Sequence, residues 1–220
     1  MKTMAACLFA LAVLAARPAA AQSSGDPAGF SEPSDVGFRG FFIATTQSFA
    51  AKTTVDAAFD SSTQPFFGGG VQITSAGGFY IEFGVTRFKK TGQRAFVSNG
   101  QAFPLGIPVT ATITPIEFSA GWRFGARSWK VIPYAAGGIG RYNYKEESDF
   151  SADGDAVDAH GVGYLVNGGV EFRVHKWIGL SVDAQYTHVP DILGQGGVSK
   201  EAGETDLGGI AARFKVIVGR

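Results

Sequence analysis

The chain has 220 residues, with 19 basic and 19 acidic side chains and a formal net charge of zero. This balance argues against nucleic acid as a partner, because nucleic-acid-binding domains carry a clustered positive charge. Glycine (31 residues) is more abundant than in a typical soluble domain, where it averages about 7%. No run after the N-terminal segment approaches the roughly 18 apolar residues of a membrane-spanning helix, which excludes a helical membrane protein.

The N-terminal segment has the pattern of a secretory signal. Lys2 precedes an apolar run over 5–16, and three alanines at 19–21 form a small-residue cleavage site. Cys7 lies within this segment, so the mature chain is predicted to have no disulfide and no thiol chemistry. Three parts are therefore predicted: a signal peptide (1–21), a short polar N-terminal segment (22–35) and a β-barrel domain (36–220).

Eight later segments alternate apolar and polar residues, as β-strands with one apolar face do. They cover about 36–49, 65–75, 78–90, 108–124, 130–145, 161–174, 178–189 and 205–219. Several are roughly twice the usual soluble strand of about 5–6 residues. A tilted transmembrane strand needs about 9–11 residues, so their length favours strands that cross a bilayer.

The connections between these strands alternate strictly between long and short. The long connections are 50–64, 91–107, 146–160 and 190–205, and the short ones are 76–77, 125–129 and 175–177. Long loops at one end and tight turns at the other are typical of outer-membrane barrels, whose periplasmic turns are short. The predicted fold is therefore all-β: an eight-stranded antiparallel up-and-down transmembrane β-barrel behind an N-terminal signal peptide.

The alternation also predicts which residues face lipid and which face the lumen. The predicted lipid-facing positions are apolar, as in Phe79, Ile81, Phe83 and Val85 of the third strand. The predicted lumen charges are Arg39, Glu82, Glu117, Arg123, Arg141, Glu171, Arg173, Asp183, Arg213 and Lys215. Aromatic residues near strand ends are predicted to form interfacial girdles. These aromatics are Phe66, Phe67, Phe88, Trp122, Phe124, Trp129, Tyr142, Tyr144, Trp177 and Tyr186.

Two prolines bear on the predicted strands, because proline cannot donate a ladder hydrogen bond. Pro133 is placed at a strand start, and Pro115 is predicted to mark a β-bulge.

Two runs within the eight-strand layout carry a resemblance to a known family: TPIEFSAGWRF at 114–124 and PYAAGGIG at 133–140. With this layout, they resemble the OmpA/OmpX/OmpW-like outer-membrane β-barrels, which are small porin-like proteins.

This resemblance implies a location in the cell outer membrane of a Gram-negative-type envelope. The partners it implies are outer-membrane lipids and lipopolysaccharide, the barrel-assembly machinery during insertion, and a small hydrophobic ligand of the kind OmpW-like barrels are thought to hold.

Eight strands leave an interior just wide enough for side chains to fill. A salt-bridged lumen too narrow to conduct is therefore favoured over a selective polar path. The predicted function is a non-enzymatic integral outer-membrane protein with a structural or interaction role, or one that binds a small apolar ligand.

Other chemistry has weaker support in the sequence. The acidic loop 146–158 has six carboxylates but not the spacing of an EF-hand, so a solvated loop is favoured over a calcium site. His160, His175 and His188 are scattered over a loop, a turn and a strand end, without metal-ligand spacing. No catalytic, cofactor-binding or metal-binding residue is predicted, and no cofactor.

Two alternative functions remain open. The segment 186–190 resembles the C-terminal region of outer-membrane lipid A deacylases, but Pro190 stands where their nucleophilic serine is expected. A lipid-modifying enzyme would need another hydroxyl near His188, and Ser199 with Glu201 or Glu204 is the available set. A secreted lipocalin-like binder, with its apolar face inward, is the other alternative.

Overall fold

The computed structural model describes residues 36–98, 101–125, 129–148, 157–194 and 197–219. The predicted signal peptide and the polar segment 22–35 lie outside the described residues. The described strands are β1 (Val36–Phe49), β2 (Thr63–Ser75), β3 (Phe79–Ser98), β4 (Gln101–Arg123), β5 (Val131–Glu147), β6 (Val157–His175), β7 (Ile178–His188) and β8 (Gly209–Gly219). The described helices are α1 (Lys52–Phe59) and α2 (Gly197–Glu201).

The eight strands form a closed barrel in which each strand pairs with its neighbours in sequence and β8 returns to β1. All of these pairings are antiparallel. Closure leaves no unpaired sheet edge, which is what a β-structure needs in lipid, where backbone groups find no water. The predicted fold class is confirmed. None of the helices in the described ranges is long and apolar enough to cross a membrane.

The two ends of the barrel differ. One end, called the turn end, has the β2–β3, β4–β5 and β6–β7 connections and the start of β1. At the β2–β3 turn Gly78 has a φ of +92°, a conformation that favours glycine. The opposite end, called the loop end, carries α1 between β1 and β2, and α2 within the β7–β8 connection (189–208).

The outer wall is apolar, as the alternation predicts. On β8 the outward positions Ile210, Phe214 and Val218 are exposed, whereas Arg213 and Lys215 between them are buried. The same pattern holds along β6 and β7, where Val174 and Ile178, on either side of the tight connection, are both exposed. Large apolar side chains that are exposed around a closed barrel indicate a lipid-facing surface.

The structure corrects the prediction for the β3–β4 connection. The segment 91–107 was predicted to be a long loop, but β3 and β4 continue through it and pair as far as Ser98 and Gln101. The register of the β3–β4 pairing shifts between Gln93 and Ala95. A β-bulge of this kind lets a ladder continue past residues that do not fit it.

The predicted bulge at Pro115 is wrong, because the β4–β5 register runs through Pro115 and Tyr142 without a shift. On the β3 side the ladder is interrupted between the pairs Val85–Ile116 and Phe88–Ile113, with the register unchanged. This gap accommodates a residue that has no N–H to donate. Pro133, the third residue of β5, lies near its strand start as predicted.

Candidate functional site: a barrel interior in two layers

Charged and polar side chains fill the interior towards the turn end, and we call them the polar layer. Glu171 is at its centre and is almost fully buried. Arg39 binds it through two contacts, Nη1 to Oε1 at 2.8 Å and Nη2 to Oε2 at 3.0 Å. Arg123 donates from Nη2 to Oε1 at 2.8 Å, and Arg173 Nε lies 3.9 Å from the same oxygen. One carboxylate therefore holds three guanidinium groups from three other positions in the barrel wall.

A second group of the polar layer joins β2, β3 and β8. Lys215 Nζ donates to Glu82 Oε1 at 2.5 Å, and Gln72 Nε2 donates to Glu82 Oε2 at 3.0 Å. Gln72 also accepts a hydrogen bond from Arg39, which connects this group to the Glu171 cluster. Lys215 lies 4.9 Å from the ring centroid of Phe41, a favourable cation–π position.

A third group lies further towards the loop end. Arg213 donates to Asp183 and to Gln185, and its Nη1 is 4.0 Å from Glu117 Oε2. Two tyrosines complete the network. Tyr134 donates to Asp183 Oδ2 at 2.5 Å, and Tyr142 donates to Glu117 Oε1 at 2.7 Å.

These contacts locate the ten predicted lumen charges. Nine lie inside the barrel, but Arg141 is on the outer wall, where its side chain is exposed. Ile139 on the same face of β5 is also exposed, whereas Tyr142 and Tyr144 are buried. The prediction for Arg141 is therefore wrong, because the glycines that precede it carry no side chain to show the phase of the strand.

A small cavity remains within the polar layer, with room for about one water molecule. It is lined by Gln72, Tyr80, Glu82, Arg123, Tyr134, Glu171, Ser181, Lys215 and Ile217. The Nε of Arg123 has no hydrogen-bond partner among the described residues. A water in this cavity would satisfy such a buried donor.

Apolar side chains fill the interior at the loop end, and we call them the apolar layer. The buried members are Phe49, Ala51, Val55, Phe59, Phe66, Phe88, Ala111, Ile113, Tyr142, Tyr144, Val189, Ile192, Leu193 and Leu207. Phe88 is central: its ring centroid is 5.4 Å from that of Phe66 and 5.8 Å from that of Phe59. Helix α1 and the β7–β8 connection contribute side chains to this layer, so they cover the lumen at this end.

The apolar layer corrects the predicted aromatic girdles. Phe66, Phe88, Tyr142 and Tyr144 were predicted at the lipid interface, but all four are buried inside the barrel. The other six predicted girdle residues are exposed or on the outer wall: Phe67, Trp122, Phe124, Trp129, Trp177 and Tyr186. Adjacent aromatics such as Phe66 and Phe67 must point to opposite faces of a strand, so both could not face lipid.

Helix α1 is held at both ends by charged residues from distant parts of the chain. Its N-cap, Ala51, has no side-chain hydrogen bond to give. Glu204 of the β7–β8 connection replaces that cap, accepting hydrogen bonds from the backbone N–H of Thr53 at 2.9 Å and of Thr54 at 2.8 Å. At the other end Lys90 Nζ donates to the carbonyl oxygen of Phe59 at 3.0 Å. A carboxylate at the N-terminus and an ammonium at the C-terminus both complement the helix dipole.

A glycine allows α1 to approach β3. A Cβ on Gly92 would lie 2.0 Å from the carbonyl oxygen of Ala58. Only a residue without a side chain lets the end of the helix lie against the strand at this point. The helix is thereby packed on the barrel rim rather than extended from it.

Asp206 holds the base of the β7–β8 connection. Its Oδ1 accepts from the backbone N–H of Val189 at 2.7 Å and of Gly208 at 2.8 Å, and its Oδ2 lies 2.7 Å from Nδ1 of His188. Burial raises the pKa of Asp206, but these hydrogen bonds outweigh burial, so the pKa lies below its usual range. Glu204 behaves likewise: hydrogen bonds from Thr54 and Thr53 outweigh burial and lower its pKa.

The hydroxyl considered for a lipid-modifying enzyme has another partner. Ser199 is buried, and its Oγ accepts a hydrogen bond from the backbone N–H of Gly194 at 3.0 Å. Glu204 binds α1, and the carboxylate at Nδ1 of His188 is Asp206, which the sequence did not single out. The pairing of His188 and Asp206 has no local sequence signal, because the loop brings together residues that are 18 positions apart.

The remaining candidate positions are separate from one another. Much of the acidic loop 146–158 lies outside the described residues; of the part described, Tyr144 donates to Glu146 and Asp158 pairs with Lys145 at 3.1 Å. His160 was predicted in a loop but lies within β6. Within the described ranges, no three histidine, cysteine, aspartate or glutamate side chains are grouped so that they could hold a metal ion.

Comparison with known proteins gives one family match. The model described as "Outer membrane protein beta-barrel domain" matches residues 7–209. No curated protein matches the sequence significantly.

Several solved structures are similar in fold. The N-terminal β-barrel domain of OprF from Pseudomonas aeruginosa has a TM-score of 0.47 and 10% identity, covering 83% of this chain and 97% of that one. Neisserial surface protein A has a TM-score of 0.48 and 13% identity, covering 84% and 96%. The attachment invasion locus protein Ail of Yersinia pestis, in complex with a heparin analogue, has a TM-score of 0.49 and 11% identity, covering 83% and 97%.

Proposed function

This chain belongs to the outer-membrane protein β-barrel family and is a protein of the outer membrane, and from that premise we propose that it is a sealed, non-enzymatic barrel with an interaction role. In this role the barrel presents helix α1 and the paired strands of the β3–β4 hairpin at the membrane surface and does not conduct solutes. The observation that carries the proposal is the interior in two layers. Each layer is filled by the protein's own side chains.

The polar layer opposes conduction because its charged side chains are paired with one another at short range. Glu171 alone holds Arg39 and Arg123, and Arg213 binds Asp183. Moving an ion through such a layer requires that buried pairs be broken, and an unpaired buried charge costs several kcal/mol. Eight-stranded barrels have little interior space beyond their side chains.

The apolar layer is a second barrier of a different kind. Ring contacts among Phe49, Phe66 and Phe88 occupy the loop end of the lumen. Binding a small apolar ligand there would require these rings and the β7–β8 connection to move. A role in interaction therefore has more support than ligand storage.

The contacts of the described residues at the loop end support an interaction role. Helix α1 is fixed by Glu204 and Lys90, and the β3–β4 hairpin continues well past the level of the α1 contacts. Exposed residues on this hairpin include Phe103 and Leu105. Preformed loops lose less conformational entropy on binding than flexible loops do, so they suit recognition of a partner.

The test is to refold the protein into planar lipid bilayers and record currents. Folding is verified beforehand by the different gel mobility of unboiled samples, since closed barrels resist unfolding. We expect no stable current steps from the wild-type protein. Steady, ion-selective openings at low voltage would contradict a sealed barrel.

A parallel experiment addresses enzymatic activity. The protein is expressed in a host that carries lipopolysaccharide, and the lipid A is weighed by mass spectrometry. We expect the same lipid A masses with wild-type protein, with the His188→Ala variant and without the protein. An acyl-chain change that requires His188 would show instead that the barrel is a lipid-modifying enzyme.

A further inference from the structure

A group of cationic side chains lies on the outside of the barrel wall rather than in the lumen. Arg87 and Lys89 project outward from β3, and Arg141 projects outward from β5; all three are exposed. We call these three residues the basic wall patch. They have no place in the proposed sealed barrel, because they contribute to neither layer of the interior.

Strand pairing brings the patch residues together. Lys89 pairs with Thr112 of β4, which pairs with Lys145 of β5. Arg141, on the same outward face of β5 as Lys145, pairs with Ile116. Ile116 pairs in turn with Val85, so Arg141 is level with Val85, two residues from Arg87 and four from Lys89 along β3. With strands about 4.8 Å apart and about 3.3 Å per residue along a strand, the Cα atom of Arg141 is about 12 Å from that of Arg87 and about 16 Å from that of Lys89.

No carboxylate among the described residues forms an ion pair with a patch residue. Lys145, beside the patch, is paired with Asp158 at 3.1 Å. In the part of the chain that the structure describes, Arg87, Lys89 and Arg141 form no ion pair. Three exposed cations on one side of the wall, with no carboxylate partner in the described ranges, attract an anion from outside the protein.

Uncharged hydrogen-bonding groups lie between the cations. Thr112 and Thr114 face outward from β4, and Thr114 pairs with Asn143 of β5. Arg141 donates from Nε to Oδ1 of Asn143 at 3.2 Å, so the guanidinium is directed along the strand towards the loop end. The patch therefore combines cations with hydroxyl and amide groups, which suits a ligand with both phosphate and sugar hydroxyls.

The patch borders the apolar outer wall. Arg141 lies between two exposed apolar neighbours, Ile139 on its own strand and Val162 on β6. A long cationic side chain at such a boundary extends its charged group towards the membrane headgroups while its stem lies on apolar surface. The ligand is therefore expected at the level of the lipid headgroups.

Among the described residues of the barrel wall near the loop end, the outward-facing Lys and Arg side chains lie on β3 and β5. The described outward positions near the loop ends of β1, β2 and β8 include Thr46, Thr63 and Ile210, and they are uncharged. Nonspecific attraction of the barrel to an anionic membrane surface would not require the cations to lie on one side of the wall. The restriction to β3–β5 favours a ligand that binds at one place.

We propose that the basic wall patch binds the phosphorylated headgroup of an outer-leaflet glycolipid, the lipid A part of lipopolysaccharide. Arg87, Lys89 and Arg141 contact its phosphates, and Thr112, Thr114 and Asn143 contact its sugar hydroxyls. The acyl chains then lie along the apolar wall below the patch. This site is independent of whether the lumen conducts, so it stands or fails separately from the proposed function.

The test measures lipid A binding by the detergent-refolded barrel, through the heat of binding on titration in a calorimeter. A variant with Arg87→Gln, Lys89→Gln and Arg141→Gln removes the patch. The matched control, with Lys52→Gln, Lys130→Gln and Lys176→Gln, removes three exposed cations outside the patch. Unboiled gel mobility verifies that all three proteins are folded.

We expect the patch variant to bind lipid A at least tenfold more weakly, with the control variant close to wild type. Added salt should weaken wild-type binding, because exposed charges are screened. Equal binding by the patch variant and wild type would contradict the proposal, as would an equal loss in the control. Dephosphorylated lipid A and phosphatidylglycerol should both bind poorly. If either binds as well as lipid A, the assignment to a phosphorylated glycolipid is wrong.

Discussion

At the scale of single residues, Glu171 has the most demanding position in the polar layer. Its carboxylate is buried and contacts Arg39 and Arg123 at 2.8 Å. If it is removed, these guanidinium groups lose their counter-ion in a site that water barely reaches. Removing one partner of a buried ion pair leaves the other charge buried and unpaired. The free energy of folding lost in this way therefore exceeds the net contribution of the intact pair.

We predict that Glu171→Leu lowers the free energy of unfolding by about 3–5 kcal/mol. The measurement is urea-induced unfolding of the barrel in lipid vesicles, followed by tryptophan fluorescence. The matched control is Glu201→Leu on α2, an exposed position where a substitution changes stability by less than about 0.5 kcal/mol. Similar losses in the two variants would mean that the charged face is not buried in the barrel.

Residue-level prediction from the sequence succeeded where polar and apolar residues alternate clearly. Along β7, Asp183 and Gln185 face inward and Val182 and Tyr186 face outward, as the alternation predicts. The face of Arg141 was predicted wrongly because 137, 138 and 140 are glycines, which show no preference for either face. The inward position of Phe88 also differs from the prediction, since an aromatic residue at a strand end suits either lipid or an apolar lumen.

At the scale of secondary-structure elements, α1 depends on residues far from it in sequence. Glu204 is about 150 positions away from the Thr53 and Thr54 amides that it caps. Local sequence patterns do not contain such a contact, and α1 lies in a segment that was predicted to be a connection only. The predicted β3–β4 hairpin was too short because Gly92 and the prolines at 104 and 108 are residues that normally interrupt strands.

We predict that Glu204→Ala destabilises α1 by about 0.5–2 kcal/mol, the usual cost of losing a helix N-cap. Hydrogen exchange of the amides in Lys52–Phe59 is the appropriate measurement, because the rest of the barrel should be unaffected. Glu201→Ala, three residues earlier on an exposed surface, is the control. Unchanged exchange at Thr53 and Thr54 in the Glu204 variant would rule out the remote cap.

The same loop contacts predict a response to acid. The pKa values of Glu204 and Asp206 are lowered in the folded protein by the hydrogen bonds that they accept. A carboxylate with a lowered pKa contributes its stabilisation above its unfolded pKa, about 4, and loses it as the pH falls through the folded value. Proteolysis of the β7–β8 connection should therefore stay slow down to about pH 4 and accelerate below it.

The control for this pH response is the double variant Glu204→Gln with Asp206→Asn. It should show fast proteolysis already at neutral pH, with a much smaller increase on acidification. An acid-stable protease is needed, and tryptophan fluorescence verifies that the barrel itself is still folded. A pH step that persists in the double variant would assign the response to other groups.

At the scale of the whole molecule, the alternating loop lengths and strand lengths were sufficient to predict a closed eight-stranded barrel of the outer membrane. They were not sufficient to predict how its interior is divided. The polar layer follows from charges on inward positions, but the apolar layer depends on α1 and the β7–β8 connection folding back into the lumen. Loops of that length have many possible paths, and the contacts that select one, such as Lys90 to Phe59, join distant segments.

The two layers should act as independent barriers, and this can be tested by removing them separately. In one variant Phe49, Phe66 and Phe88 become alanine and a short glycine–serine turn replaces 190–206, which removes the rings that fill the apolar layer and the connection that covers it. In a second variant Arg39, Arg123 and Glu171 all become alanine, which opens the polar layer while removing two cations together with their shared carboxylate. We predict no stable current from either variant in planar bilayers, and measurable current steps only when both changes are combined. The reason is that each layer alone still fills the cross-section of a narrow eight-stranded barrel. Currents from either single variant would show that one layer alone seals the lumen.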